Sequence, residues 1–400
     1  MKVRVLPTAS LCAALALGVS HDAQSQTMAG QPPGAWQLMQ DAAIFLELNH
    51  QGSDRGGDEF VAPNWWMGMA GRQAGRGHLT FIGMLSLDPA TVGRDGYREL
   101  FQAGEALDGE PLVDRQHPHD LLMQIAAVWR VPLGASTGLT IAGGPAGEPA
   151  LGPVAFMHRS SAADNPVAPL SHHKLDSTHI SYGVLTAAVD RGTWTIEGSL
   201  FNGREPDDDR WDFDFGRLDS VSGRVWIRPA PEWELQASAG RLVDPEELEP
   251  GNIVRSTASV SWSRVSGQDA AGFTSAYGRN TSDHGSQQAL LVEAARQAGA
   301  NTLYSRLEAV QLEDSPSVLA FTMGGVRNVL SRLGVEGGVG ADLTVHRTPD
   351  GLEGEYGAHP VSFHVFFRLR SRSAAGRMWN MRMAQPMPHA VDPHAGHQMN

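Results

Sequence analysis

The stretch VSFHVFFRLR, from Val361 to Arg370, alternates apolar and polar side chains with a period of two residues. One side of this stretch carries Val361, Phe363, Val365, Phe367 and Leu369. The other side carries Ser362, His364, Arg368 and Arg370. A period of two is that of a β-strand, whose successive side chains point to opposite faces. A charge facing lipid at mid-depth in a membrane costs roughly 2–4 kcal/mol. We therefore expect Arg368 and Arg370 to face a wet interior or to lie at a rim.

The same alternation recurs in segments along the chain from Ala35 to Arg370. Sixteen candidate strands begin near Ala35, Asn64, His78, Leu121, Gly138, His179, Thr193, Val221, Trp233, Arg255, Gly272, Ala289, Thr302, Leu319, Val335 and Val361. An even number is what a bacterial single-chain barrel requires. The sequence predicts an all-β fold, an antiparallel transmembrane up-and-down β-barrel of about sixteen strands over residues 35–370. Fourteen strands is the alternative, because the segments near Gly138, Ala289 and Leu319 alternate poorly.

Long and short connections alternate between these candidate strands. The long ones follow odd strands and cover residues 52–58, 88–120, 152–177, 202–219, 243–252, 279–287 and 347–360. With both chain ends in the periplasm, every long connection would lie outside the cell, as in bacterial barrels. The segment Glu99 to Ala106 is compatible with a helix, and we expect it to form a short helix that folds into the lumen as a plug.

The N-terminus has the pattern of an export signal. Lys2 and Arg4 precede an apolar run from Leu11 to Val19, so residues 1–25 are expected to be a signal peptide and residues 26–34 an N-terminal arm. We therefore predict a Gram-negative outer-membrane protein. Cys12 is the only cysteine, so the mature chain would lack disulfides. A periplasmic sandwich or propeller remains open on the same strand evidence.

The composition limits the partners of the chain. Its formal net charge of −13 argues against nucleic acid and weakly favours cations as solutes. We expect contacts with outer-membrane lipid, with small solutes or metal ions, and with copies of the chain in a homotrimer if it is not a monomer. The polar lumen is expected to include Glu197, Glu234, Gln236, Arg306, Glu308, Asp342 and Arg368.

Two long connections are rich in histidine and aspartate. The candidate metal ligands in them are His117, His119, Asp120, His158, His172, His173, Asp176 and His179. Imidazole and carboxylate ligands suit a borderline divalent ion such as zinc, copper or nickel. The spacing matches no known site, and the alternative is that these side chains hydrogen-bond the loops together.

The tail, residues 371–400, combines methionine with histidine. Its candidate ligands are Met378, Met381, Met383, Met387, His389, His394 and His397. Thioether and imidazole ligands suit Cu(I) or Ag(I), and the topology predicts a periplasmic position for the tail. The alternative is a disordered extension whose composition is chance. No cofactor is certain; copper, silver or zinc ions are the candidates.

The stretches DEFVAPNWWMGMAGR, DRQHPHD, GPVAFMHRSSAADNPVAPLSHHKLDSTHISYGV and FNGREPDDDRW resemble an uncharacterised group of proteobacterial outer-membrane β-barrel proteins. The resemblance covers most of the mature chain and includes the histidine-rich loops. It implies a porin-like barrel in the outer membrane. Since the group is often encountered beside heavy-metal resistance or respiratory functions, the resemblance points only weakly to metals. The group has no established reaction or ligand.

These observations predict a function other than catalysis. The first reading is a passive porin-like channel for small polar or ionic solutes, linked to copper or other heavy-metal handling. The alternative is a non-conducting metal-binding protein whose loops plug the barrel. A lipid hydrolase using Ser177, Ser181 and His179 comes third, because no nucleophile-elbow spacing is present.

Overall fold

The computed structural model describes residues 35–312, 316–371 and 381–384, and its main feature is a closed antiparallel barrel of sixteen strands. The strands are β1 Gln37–Gln51, β2 Asn64–Ala74, β3 Gly77–Leu85, β4 Leu122–Pro132, β5 Thr137–Gly147, β6 Ser181–Arg191, β7 Trp194–Phe201, β8 Ser220–Ile227, β9 Trp233–Val243, β10 Asn252–Ser266, β11 Asp269–Ser282, β12 Gly285–Ala298, β13 Asn301–Gln311, β14 Ser317–Arg332, β15 Val335–Arg347 and β16 Val361–Ser371. Each strand pairs with the next, and β16 closes the barrel by pairing with β1, from Ala43 opposite Arg370 to His50 opposite Phe363. The predicted sixteen-stranded barrel is confirmed.

Smaller elements lie in the connections. A short strand, Gly57–Val61, extends the pairing of β1 beyond β2. The remaining elements are strands Tyr97–Arg98, Glu105–Leu107, Glu110–Leu112 and Arg115–Gln116, one-turn helices Asp88–Thr91, His172–Leu175 and Glu353–Tyr356, and 3-10 turns Phe156–His158 and Ser177–His179. Within the described residues, no helix is long and apolar enough to cross a membrane.

The period-two pattern of the sequence places alternate side chains inside and outside the wall. In β7, Glu197 and Ser199 are buried while Ile196 and Leu200 are exposed on the outer surface. The same holds in β16, where Arg368 is fully buried and Phe363 is exposed. Strand pairing buries the backbone polar groups, so the outer surface can present apolar side chains to lipid.

Two predicted connections are wrong in detail. Residues 279–287 form no long loop, because Ser282 pairs with Gly285 and only two residues join β11 to β12. The segment Glu99 to Ala106 forms no helix. Phe101 has a positive φ of 69° and stacks on Tyr356 with ring centroids 4.3 Å apart, so burial of this ring determines the local backbone.

The connection between β5 and β6, residues 148–180, folds into the barrel; we call it the inner loop. Nearly all of its side chains are buried. Three ion pairs or hydrogen bonds tie it to distant strands: Arg159 to Glu293 on β12 at 2.9 Å, Asp164 to Arg370 on β16 at 2.5 Å, and Ser171 to Glu308 on β13 at 2.7 Å. The inner loop therefore spans the lumen from wall to wall.

The described part of the tail also lies inside the barrel. We call Met381–Ala384 the C-terminal segment, and all four of its side chains are buried. Arg382 contacts Glu197 on β7 at 3.3 Å, and its guanidinium carbon lies 4.2 Å from the ring centroid of Trp226 on β8. These four residues therefore lie in the lumen, which offers them carboxylate, aromatic and apolar partners, and the periplasmic position of the tail stays a prediction.

Candidate metal site at the loop end of the barrel

Five histidine rings meet where the connection 86–121 packs on the inner loop; we call them the histidine cluster. They are His117, His119, His172, His173 and His179. The ring centroids of His172 and His179 are 5.2 Å apart, and those of His117 and His173 are 5.4 Å apart. The two loops that the sequence predicted as ligand sources are thus in contact.

Three of these rings are held in a defined orientation. The Nδ1 atoms of His119, His172 and His179 lie 2.8 Å from the Asp88 carboxylate, the Asp176 carboxylate and the Asp176 carbonyl oxygen. Because an ionised carboxylate or a carbonyl only accepts, each Nδ1 donates and each Nε2 keeps its lone pair. Hydrogen bonds of this kind orient the histidine ligands in metal sites of other proteins. In the described residues, the buried Nε2 atoms of His119 and His179 have no hydrogen-bond partner.

A second group of three ligands lies beside the first. One ligand atom each from Glu105, His117 and His173 lies within 4.8 Å of the others. The Nε2 atom of His117 is 2.8 Å from Glu105 Oε1. Glu105 also pairs with Arg210, which lies in the connection between β7 and β8. Two imidazoles and a carboxylate form a ligand set that suits a borderline divalent ion.

Glu105 was missed in the sequence analysis because its segment was predicted to be a helix. The structure instead has a hairpin in which Glu105–Leu107 pairs with Glu110–Leu112. Asp108 and Gly109 form its turn, with φ values of 54° and 76°. An Asp-Gly pair is the strongest short-range signal of a tight hairpin, so this dipeptide could have revealed the strand that carries Glu105.

Burial favours the neutral form, which binds metal, in four rings of the histidine cluster. Desolvation lowers the pKa of His117 and of His173 to about 4, and it also lowers the pKa of His172 and His179. The rings are therefore neutral at pH 7, which is the form that binds metal. Burial alone would raise the pKa of Glu105, but Arg210 and His117 together lower it below its ordinary value.

The remaining expected ligands have other partners. Asp176 pairs with Arg159 at 2.6 Å as well as with His172, so it acts as a positioning residue. Asp120 lies 3.6 Å from Arg210, and burial raises the pKa of its carboxyl to about 7. His158 lies outside the histidine cluster, with its ring edge-on to Trp65 at 5.0 Å between centroids.

Of the expected tail ligands, the structure describes Met381 and Met383, which are buried in the lumen. Met378, Met387, His389, His394 and His397 lie outside the described residues, as do the predicted signal peptide 1–25 and arm 26–34. Those predictions therefore rest on the sequence alone.

The expected lumen residues are all on the inner side of the wall: Glu197, Glu234, Gln236, Arg306, Glu308, Asp342 and Arg368. Charged side chains among them have ionic or hydrogen-bonding partners. Glu197 pairs with Arg224 at 2.7 Å, and Asp342 contacts His364 at 2.6 Å. The carboxylates of Glu197 and Asp342 are therefore held by partners on neighbouring strands.

The serines that suggested hydrolase chemistry are used structurally. Ser177 Oγ accepts a hydrogen bond from Arg255 at 2.8 Å, and Ser181 Oγ donates to the Thr178 carbonyl at 3.2 Å. His179 donates to the Asp176 carbonyl. None of these contacts within the described part of the chain joins a serine hydroxyl to a base.

Solved structures with the same fold are porins. An anion-selective porin from Comamonas acidovorans aligns over its full length with 84% of this chain. The TM-score is 0.52 and the sequence identity is 10%. In OprB from Pseudomonas putida, 94% of the chain aligns with 84% of this chain. The TM-score is 0.53 and the sequence identity is 8%. No family model and no curated protein matches the chain. The chain therefore has the porin fold, and the family suggested by the sequence remains a prediction.

Proposed function

We propose that the chain is a porin-type channel of the Gram-negative outer membrane whose loop end binds a borderline divalent metal ion, Zn²⁺, Cu²⁺ or Ni²⁺, as its cargo. The observation that carries the proposal is the set of Glu105, His117 and His173, whose ligand atoms lie within 4.8 Å of one another and of which His173 is buried and the other two are half-buried. A set of two imidazoles and a carboxylate recruits these ions by ligand chemistry.

The neighbouring rings support the same cargo. His119, His172 and His179 are oriented through Nδ1, and two of their Nε2 atoms are buried without a partner. A buried nitrogen without a hydrogen bond costs free energy. A bound cation would offset that cost, whereas a purely structural role for the rings would not.

The inner loop favours a selective path over a wide pore. Its ion pairs to Glu293 and Arg370 cross the lumen. Glycines on the inner wall do not widen it either, because the Phe366 ring fills the space where a Cβ of Gly340 would lie. Small cations that exchange ligands are therefore better suited to this lumen than bulky polar solutes. A monomer or homotrimer remains the predicted assembly.

The first test is a competition titration of Zn²⁺ against a chromophoric chelator, using the mature protein extracted from membranes. His117→Ala with His173→Ala should weaken binding by about tenfold or more, which corresponds to about 1.4 kcal/mol. His284→Ala is the matched control, because this exposed histidine lies in the two-residue turn between β11 and β12. Equal affinity in the double variant and the wild type would refute the metal site.

Transport is tested separately in liposomes that contain a zinc-sensitive dye. The wild-type barrel should admit Zn²⁺ faster than it admits Mg²⁺, and the double variant should lose this preference. A barrel that binds Zn²⁺ but does not pass it would be a binding protein with a plugged lumen. Passage of both ions at one rate would indicate an unselective pore.

A further inference from the structure

Methionine is concentrated at one place in the barrel. Nine of the methionines lie in the described residues, and eight of these belong to one continuous group of packed side chains, the methionine cluster: Met39, Met67, Met69, Met84, Met123, Met157, Met381 and Met383. Met323 is the ninth and is 60% exposed on the outer surface. Five other buried apolar clusters in the described chain contain no methionine.

Strand register places several of these thioethers side by side. Met39 on β1 lies directly opposite Met69 on β2, and Met67 on β2 lies directly opposite Met84 on β3. Directly opposed residues in an antiparallel pair have Cβ atoms about 4.5–5.5 Å apart. Met123 at the start of β4 continues the row. The inner wall over β1–β4 therefore presents a ladder of thioethers.

The inner loop and the C-terminal segment add thioethers from the opposite side. Met157 comes from the inner loop, and Met381 and Met383 come from the C-terminal segment. A Cβ on Gly147 would lie 2.5 Å from Met383 Sδ, so this glycine permits the close approach. The Met383 backbone also hydrogen-bonds to the Glu148 carboxylate. Three separate parts of the chain thus contribute thioether side chains to one packed cluster.

Packing alone does not explain this distribution. Methionine fills irregular gaps in any core, so a packing role would spread it among the six buried clusters. Leucine, isoleucine and valine are plentiful on the outer surface of the same barrel. A thioether differs from these residues mainly by its sulfur, which is a soft ligand that selects Cu(I) over harder ions.

We propose that the methionine cluster is a binding site for a soft monovalent cation, Cu(I) or Ag(I), within the barrel. The site is distinct from the histidine cluster, since its ligands are neutral sulfur atoms and its cargo differs in charge and softness. It also stands independently of the divalent site proposed above. The described residues contain no cysteine, so the soft ligands among them are thioethers.

The experiment is an Ag(I) titration of the full mature chain in chloride-free detergent solution, with a competing ligand to fix the affinity. Ag(I) is chosen because it needs no reductant. Met67→Leu with Met84→Leu removes an opposed pair on the wall, and Met381→Leu with Met383→Leu removes the sulfur atoms of the C-terminal segment. Each double variant should bind Ag(I) at least about tenfold more weakly than the wild type. A change of that size corresponds to the loss of one modest interaction.

Met323→Leu is the control, since it removes a thioether outside the cluster and should leave Ag(I) affinity unchanged. Heat-dependent gel mobility checks that each variant is a folded barrel, which leucine replacements of similar volume should preserve. X-ray absorption on the silver complex should show sulfur as the only neighbour in the first shell.

Equal Ag(I) affinity in wild type and both double variants would overturn the proposal, as would a first shell of nitrogen or oxygen. The double variant His117→Ala with His173→Ala separates the two sites. It should keep its Ag(I) affinity while losing Zn²⁺, and a loss of Ag(I) binding there would assign the silver to the histidine cluster instead.

Discussion

The inner wall over β2–β5 and the inner wall over β7–β16 are built from opposite chemistries. On β2–β5, no charged side chain is buried, and four methionines of the methionine cluster lie on β2, β3 and β4. The other wall buries charged residues such as Glu197, Arg224, Glu293 and Arg306, which pair with one another or with the inner loop. The same strand geometry thus supports an apolar interior and an ionic one. The difference teaches that the period of the strand determines whether a side chain points into the barrel, while the group that it contacts inside determines whether that side chain is apolar or charged.

The largest expected effect lies in the ionic wall. Arg159→Ala would leave the Glu293 and Asp176 carboxylates without their shared cation, which is 1% exposed in the structure. Removing one partner of a buried ion pair costs about 3–5 kcal/mol. Urea unfolding of the barrel in detergent should show this loss. Arg332→Ala, at an exposed end of β14, is the control. A loss below about 1 kcal/mol would mean that the inner loop does not depend on its ion pairs.

A smaller effect is expected where the two walls meet the C-terminal segment. Arg382→Ala removes the contacts with Glu197 and Trp226. Hydrogen bonds to charged groups contribute about 1.5–3 kcal/mol, so release of the segment should become roughly ten to a hundred times more frequent. Single-channel recording should show longer or larger openings in this variant. Unchanged currents would show that the segment does not limit conduction.

The smallest effect on stability is expected in the apolar wall. Met84→Leu keeps the volume of a side chain that is 4% exposed, and such swaps usually cost less than about 1.5 kcal/mol. Its free energy of unfolding, measured beside that of Arg159→Ala, tests the contrast directly. A cost of several kcal/mol would indicate that the thioether holds the wall together through its shape.

The comparison also explains what the sequence could predict. The strands were predictable because alternation and turn residues recur in most of them, and each predicted start lies within a few residues of the strand found. In β2, NWWMGMAGRQA is apolar on both faces, so its inner side carries no polar signal. The charged lumen residues could be picked out on β7, β9, β13, β15 and β16 because their outer neighbours are apolar.

The meeting of the two histidine-rich loops was foreseeable from topology, and their partners were not. Asp88 and Glu105 belong to the same connection as His117 and His119, whereas Arg210 comes from the connection between β7 and β8, and nothing in the sequence shows that these residues meet. The entry of Met381 into the lumen was likewise hidden, because a short Met-rich tail offers no periodicity. Contacts between distant parts of a chain are determined by closure of the barrel, which only the structure shows.

The position of the C-terminal segment has a consequence for the order of assembly. Its contacts come from Gly147 on β5, Glu197 on β7, Trp226 on β8 and Glu234 on β9. None of these surfaces exists until those strands have formed the wall, so Met381–Ala384 can pack only after the strands have assembled. A nascent or C-terminally clipped chain would complete its wall with this space unfilled. The permeability of the membrane to small dyes during biogenesis would then depend on how quickly the C-terminal segment packs into the lumen.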